Sequence, residues 1–325
     1  MSGTRAQRWA VGFAVLSLNS GIWAAAGTVE LIADAGFHWG LRAKDRDGQE
    51  RVIRWGESTN APVWKTAQHF SKSCIVDVAH QAFRPRGFTF KDDYALLAFH
   101  PGDEGADLVA GLNALREYGG VYRAKGDPWP HLYLSQGVAS PGGHLGDRCP
   151  SIADMARLDF SIGVRLLYDH RNIGAGYDRT RHAAQFVIFL TIQNLARKSA
   201  GYGDYYSFGI LLYDDRVPVT SLHAMHDGGS PKKPATEKLI YDVGVRPFTD
   251  KVVASGQWVD VVGDLLPHII AGLGEAWKRG YLPASTNLAD YRVGSVIMGW
   301  EIPGLNDAAV AVKDLRATAV LRDGR

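Results

Sequence analysis

The sequence is poor in cysteine, in charge of one sign and in long apolar runs. Only Cys74 and Cys149 are present among 325 residues, so the chain can hold at most one internal disulfide. Lysine and arginine number 36 against 34 aspartate and glutamate, and the formal net charge is +2. The basic residues are scattered, which excludes the concentrated basic stripe of a nucleic-acid binder. No segment beyond the first 26 residues holds 18 uninterrupted apolar positions, so no membrane span is expected. An HExxH spacing is also missing, and with it the plainest signature of a catalytic zinc. Neither an internal repeat nor a clear linker is visible.

The opening residues have the composition of a leader. Arg5 and Arg8 precede an apolar run at 9–18, and Ala24, Ala25 and Ala26 supply an A-x-A site before Gly27. The expectation is a signal peptide at 1–26, a single domain at 27–325, and a secreted or periplasmic protein. In an oxidising compartment Cys74 and Cys149 can pair, and a bridge closing so long a loop contributes ~4 kcal/mol in the chain-entropy model. Two buried free thiols are the other outcome.

Apolar residues make up 46% of the chain, and 37 glycines with 14 prolines suit a turn-rich β protein. Three runs at 158–170, 181–196 and 205–216 alternate with period two, the mark of half-buried strands. In the first, Phe160, Ile162, Val164, Leu166 and Tyr168 share a face opposite Ser161, Gly163, Arg165 and Asp169. The second sets Phe186, Ile188, Leu190 and Ile192 against Gln185, Val187, Phe189, Thr191 and Gln193. The third sets Tyr206, Phe208, Ile210 and Leu212 against Tyr205, Ser207, Gly209, Tyr213 and Asp215. Three apolar faces imply one shared core.

Further strands are expected around the turn at 44–49, within 87–99, after the prolines at 128 and 130, at 239–247, and at 291–304 and 308–320. Residues 108–123 read either as a short helix ended by Gly119 and Gly120 or as two strands. Between 138 and 152 three glycines and two prolines make a long loop. A helix is expected within 258–280, where Leu265, Ile269, Leu273 and Trp277 recur every four residues and Gly280 stops it. Pro267 is comfortable only in a first turn, so the helix proper begins near Leu265. These elements sum to an all-β antiparallel sandwich with one accessory helix across an edge or opening.

This ordering of aromatic-rich alternating strands, closed by GWEIPG and VKDLRA, resembles the concanavalin A-like lectin/glucanase jelly roll. The resemblance covers about 30–320 at the level of strand pattern and implies a glycan held on the concave sheet. It implies a polysaccharide or oligosaccharide as partner, with no cofactor beyond a structural calcium that the sequence does not localise.

Four constellations follow. Glycoside hydrolysis needs two carboxylates, close together for retention and farther apart for inversion. Glu301 shares parity with Ser295, Ile297 and Gly299, of which the small Ser295 and Gly299 leave room for a sugar ring, and Asp169, Asp215 and Glu117 are its candidate partners. A strand-end ion pair is the alternative reading of Asp214, Asp215 and Arg216. Uronate elimination instead needs a cation or amide plus a histidine or tyrosine. The stretches REYGGVYR, PHLYLSQ and GYGDYY resemble the residue types of alginate-lyase jelly rolls and nominate Arg116, His131, Gln136 and Tyr205. The R-x-E-x-R and Q-I-H patterns of those lyases are absent. His223, His226 and Asp227 offer metal ligands, although a solvated histidine pair explains them equally, and His182 falls on the core parity. Finally, Arg165, Gln185, Thr191, Gln193, Tyr205 and Tyr213 suit a binding platform without catalysis, part of which Val187 and Phe189 suggest is covered. Hydrolase, lyase and glycan-binding protein all remain open at this point.

Overall fold

Alternation of apolar and polar residues generates seventeen strands in the computed structural model, which describes residues 27–102, 105–254 and 256–323. The expected leader at 1–26 lies outside the described residues. In chain order the first strands are β1 (Thr28–Glu30), β2 (Leu41–Lys44), β3 (Glu50–Ile53), β4 (Lys65–Ala67), β5 (Gln81–Arg84) and β6 (Gly87–Lys91). Then come β7 (Ala95–Phe99), β8 (Leu108–Asn113), β9 (His131–Gly137), β10 (Met155–Arg171), β11 (Gln185–Asn194) and β12 (Tyr205–Asp214). The last are β13 (His223–His226), β14 (Leu239–Asp242), β15 (Val259–Asp264), β16 (Tyr291–Glu301) and β17 (Asn306–Leu321). Two α-helices accompany them, α1 (Ala114–Glu117) and α2 (Leu266–Lys278).

The strands form two sheets. One has eight strands in the order β15-β10-β17-β8-β7-β6-β5, with β1 also paired to β17. The other has nine, in the order β13-β14-β12-β11-β16-β9-β4-β2-β3. Most pairings are antiparallel; β2 with β4 and β12 with β14 are parallel. This is the two-sheet, all-β sandwich of jelly-roll type that the strand pattern predicts.

The three central runs are strands, but they do not lie side by side. β10 belongs to the eight-stranded sheet, whereas β11 and β12 pair in the nine-stranded one. Their apolar faces meet across the sandwich, and Phe160, Ile162, Phe186, Ile188, Tyr206 and Phe208 are all buried in one core. Trp300 ties the sheets together, donating its indole N–H to the Ala110 carbonyl at 2.9 Å.

The helix begins later than the full 258–280 span. Residues 259–264 form β15 against β10, and Asp264 accepts the N–H groups of Leu266 and Leu158 at 2.9 Å each. Pro267 sits in the first turn, where its missing N–H has no intrahelical partner to lose. Tyr206 donates to the Ile269 carbonyl at 2.7 Å and seats α2 against the core.

Two β-bulges matter for the site. Between Leu166 and Tyr168 the register of β10 against β17 shifts, and Asp169 comes opposite Ala308, which is fully buried. Between Phe186 and Val187 the register of β11 against β12 shifts, and Tyr213 comes opposite the core residue Phe186. An extra residue in one strand reverses the facing of everything beyond it.

Candidate active site

A single row of cross-strand partners sets the chemistry of the sheet face turned away from the eight-stranded layer. His131 on β9 pairs with Glu301 on β16, Glu301 with Gln185 on β11, and Gln185 with Asp214 on β12. Cross-strand partners project to the same side of a sheet, so the four side chains line one cleft. Its volume is about 940 Å³, at the upper end of ligand pockets, which run to roughly 1,000 Å³. Phe189, Tyr205, Leu211 and Met225 add apolar wall along its length.

Glu301 is held by three aromatic neighbours from β9 and the loop before it. Trp129 donates its indole N–H to Oε2 at 3.2 Å, and the Tyr133 hydroxyl donates to Oε1. His131 Nε2 lies 3.7 Å from Oε2. Burial pushes the Tyr133 phenol well above its ordinary value, and the neighbouring Glu301 adds to the shift, so it stays a donor. Burial likewise pushes His131 down, only partly offset by Glu301. The His131 ring stacks on Trp129 at 5.6 Å, and its Nδ1 is buried without a hydrogen-bond partner.

Across the row, Asp214 is 4% exposed and is clamped on both oxygens. Arg216 reaches Oδ1 through Nε at 2.8 Å and Oδ2 through Nη2 at 2.6 Å, while Gln185 donates to Oδ2 at 2.8 Å. Burial raises such a carboxyl, but the bidentate guanidinium overrides it and the net displacement is downward. Deeper along β14, Asp242 accepts the N–H groups of Gly244 at 2.7 Å and Leu211 at 3.1 Å, and burial pushes it upward. Gly209 opposite must lack a side chain, because a Cβ there would lie 2.7 Å from Asp242 Oδ2.

The wall near Trp129 is cationic. The Arg123 guanidinium lies 4.8 Å from the Trp129 ring centroid and Lys233 Nζ lies 4.3 Å from it. The loop carrying Lys233 is fastened to the Trp129 loop by Ser230 Oγ to the Gly126 carbonyl and Lys232 Nζ to Asp127, both 2.7 Å.

Of the residues nominated from the sequence, Glu301, His131, Gln185 and Tyr205 line the cleft together, and Thr191 lines it as well. Others lie elsewhere. Asp169 and Asp215 are turned between the sheets, where Tyr213 donates to Asp169 at 2.8 Å and Asn306 donates to Asp169 at 2.8 Å and Asp215 at 3.1 Å. The two bulges reverse the parity on which Asp169 and Tyr213 were assigned. Asp214, one position before Asp215, occupies the cleft instead, in the strand-end ion pair with Arg216 that was the alternative reading. Glu117 is buried under the 71–72 loop, accepting from Ser71 Oγ at 2.5 Å and the Lys72 N–H at 2.9 Å. Its neighbour Arg116 is exposed on α1, outside the cleft.

Arg165 is on the far face of the other sheet, 4.9 Å from the Trp258 ring, so it shares no platform with Gln185 and Tyr205. Gln136 points to the core side and binds the Ala33 backbone at 3.0 Å through both its oxygen and its nitrogen. Gln193 is on the cleft side but donates to the Gly203 carbonyl at 2.9 Å, outside the cavity. His182 is a satisfied core histidine, its Nδ1 accepting the Asp178 N–H at 2.9 Å. His223 and His226 both line the cleft, and His226 is engaged by Tyr281 at 2.8 Å and Glu237 at 2.7 Å. Among the described residues no three His, Cys, Asp or Glu side chains gather as a metal set. Cys74 and Cys149 are free and buried, not bridged, and burial pushes the Cys149 thiol up to about 12.

Sequence reasoning missed Trp129, and it touched Arg123 and Tyr133 only as members of the stretches REYGGVYR and PHLYLSQ, without nominating either. Tyr133 had a signal, since it shares strand parity with His131. Trp129 and Arg123 come from a loop, where no periodicity points to a face.

No family model matches the chain, and no curated protein matches it. Among solved structures, the family 12 xyloglucanase from Bacillus licheniformis is 10% identical, covering 78% of this chain and 99% of that one, with a TM-score of 0.40. The family 11 xylanase from Neocallimastix patriciarum is 11% identical over 71% and 90%, with a TM-score of 0.38. A metagenome-derived glycoside hydrolase family 12 endoglucanase is 14% identical over 81% and 100%, also at 0.38.

Proposed function

We infer that the protein is a glycoside hydrolase that cleaves a polysaccharide in this cleft, with Glu301 and Asp214 as its two carboxylates. The observation that carries the reading is their placement in one cross-strand row separated only by Gln185. Two strand spacings put their Cα atoms roughly 10 Å apart. From there the carboxyls can lean into the ~6.5–9.5 Å gap that holds a water beside the sugar, rather than the ~5.5 Å of a retaining pair. Asp214, kept ionised by Arg216, cannot supply a proton; it is the base that activates the water once substrate draws the Gln185 amide off its Oδ2. Glu301 is then the acid that protonates the departing oxygen, with Trp129 and Tyr133 fixing its carboxyl. The aromatic walls supply stacking area for sugar rings. The leader-like 1–26 supports action outside the cytoplasm.

Incubation with a panel of neutral and uronic polysaccharides tests this. New reducing ends with inverted anomeric configuration, lost in Glu301→Gln and Asp214→Asn, are expected. Affinity for a glycan without any product would leave a binding protein and end the hydrolase reading. His131 and Tyr133 beside one another also suit uronate elimination, and an ultraviolet-absorbing unsaturated product would favour that chemistry instead.

A further inference from the structure

We propose that the Arg123 corner of the cleft is a subsite for an anionic sugar, so that the polymer this protein acts on carries uronate groups. This rests on the cleft being the polysaccharide site and adds the class of sugar it selects.

Arg123 is a half-buried cation whose hydrogen bonds go to uncharged acceptors. Its Nη1 donates to the Asp127 carbonyl at 3.1 Å and the Ala124 carbonyl at 3.4 Å, and its Nη2 to the Arg181 carbonyl at 2.9 Å. A guanidinium has five N–H groups; those contacts use three, and Nε is buried without a partner. Among the described residues no carboxylate forms an ion pair with it. Asp127, whose carbonyl it touches, gives its own carboxylate to Lys232 at 2.7 Å and to the Ala124 N–H at 2.9 Å. The neighbouring cations are compensated: Arg181 by Asp178 at 2.7 Å, Arg216 by Asp214 at 2.6 Å and Lys233 by Asp227 at 3.8 Å. Beyond the longer-range pull of Asp127, this half-buried cation has no ion-pair partner and leaves a counter-charge for a ligand to supply.

The position gives the charge a purpose. Arg123 and Lys233 both lie against Trp129, and the same indole donates to Glu301. A sugar chain lying along the cleft would bring an acidic substituent, on the backbone or on a branch, to Arg123 while a glycosidic oxygen reaches Glu301. A planar carboxylate matches the guanidinium fork, which a neutral hydroxymethyl does not. Sulfate esters carry the same charge on a tetrahedral group, so both classes belong in the test.

The experiment measures binding to the inactive Glu301→Gln protein by calorimetry. The probes are a glucuronoxylan, the same polymer with its carboxyls reduced to alcohols, and a sulfated galactan. Glucuronoxylan is expected to bind about tenfold or more tightly than its reduced form, with the preference shrinking as salt is raised. Adding Arg123→Gln should erase the preference, and Arg123→Lys should restore part of it. Thermal midpoints of both variants check that the 123–129 loop is intact; if Gln unfolds it, the salt dependence and the Lys variant still decide. Equal binding of native and reduced polymer, or no binding to either, overturns the subsite, as does tighter binding of the sulfated polymer. Selective binding with no turnover by wild type would instead sink the hydrolase and leave the subsite standing.

Discussion

The indole N–H of Trp129 and the Oε2 of Glu301 meet at 3.2 Å, joining a loop residue to the end of the strand that crosses the middle of the cleft. A hydrogen bond to a charged group contributes about 1.5–3 kcal/mol. Trp129→Phe keeps a ring between Arg123 and Lys233 but removes the donor. Its kcat should fall about 10- to 100-fold with little change in thermal midpoint. An unchanged kcat would show that the indole does not position the acid.

Arg216 sets the ionisation of Asp214. Burial opposes the charged carboxylate and the guanidinium restores it. In Arg216→Gln only the Gln185 amide and the backbone N–H of residue 216 still oppose burial, and the carboxyl moves upward. The basic form needed to activate water is then lost at higher pH, so the acidic limb of the kcat/KM profile should move to higher pH. A limb that stays in place would remove Asp214 from the role of base.

His131 should leave a trace in stability against pH. Its folded value is depressed by burial, so below its ordinary value of 6.5 the unfolded chain binds the proton more readily than the native one. Its neutral-state stability is therefore complete above that value and lost as pH falls below it toward the depressed folded value. His131→Gln should lose less thermal midpoint than wild type between about pH 7.5 and pH 5.5. Equal losses would contradict the assignment.

The inter-sheet cluster is a stability element. Asn306 is 2% exposed and its side-chain amide serves both Asp169 and Asp215. Replacing it with leucine leaves two carboxylates facing each other without that donor. A loss of about 3 kcal/mol is expected, read from the urea midpoint. Tyr213→Phe, which removes only one bond to Asp169, should cost about 1 kcal/mol.

What the sequence by itself determined is the two-sheet architecture, the central strands and the face of the sheet that carries Glu301. Alternation is a local property, and over 185–194 and 291–301 it runs long enough to define a buried and an open face. Gln185 and Tyr205 were legible for the same reason. Tertiary structure decided which sheet each strand joins, and so removed Arg165 from the company of Gln185. It also decided where an extra residue enters a strand. Parity fails beyond a bulge because side-chain facing has a period of two residues, so Asp169 and Tyr213 turned inward and Asp214 replaced Asp215 at the cleft. The placement of Trp129 and Arg123 beside Glu301 was beyond reach for a different reason. Their loop has no period, and only its fastening at Gly126 and Asp127 to the 230–233 turn brings them against Glu301.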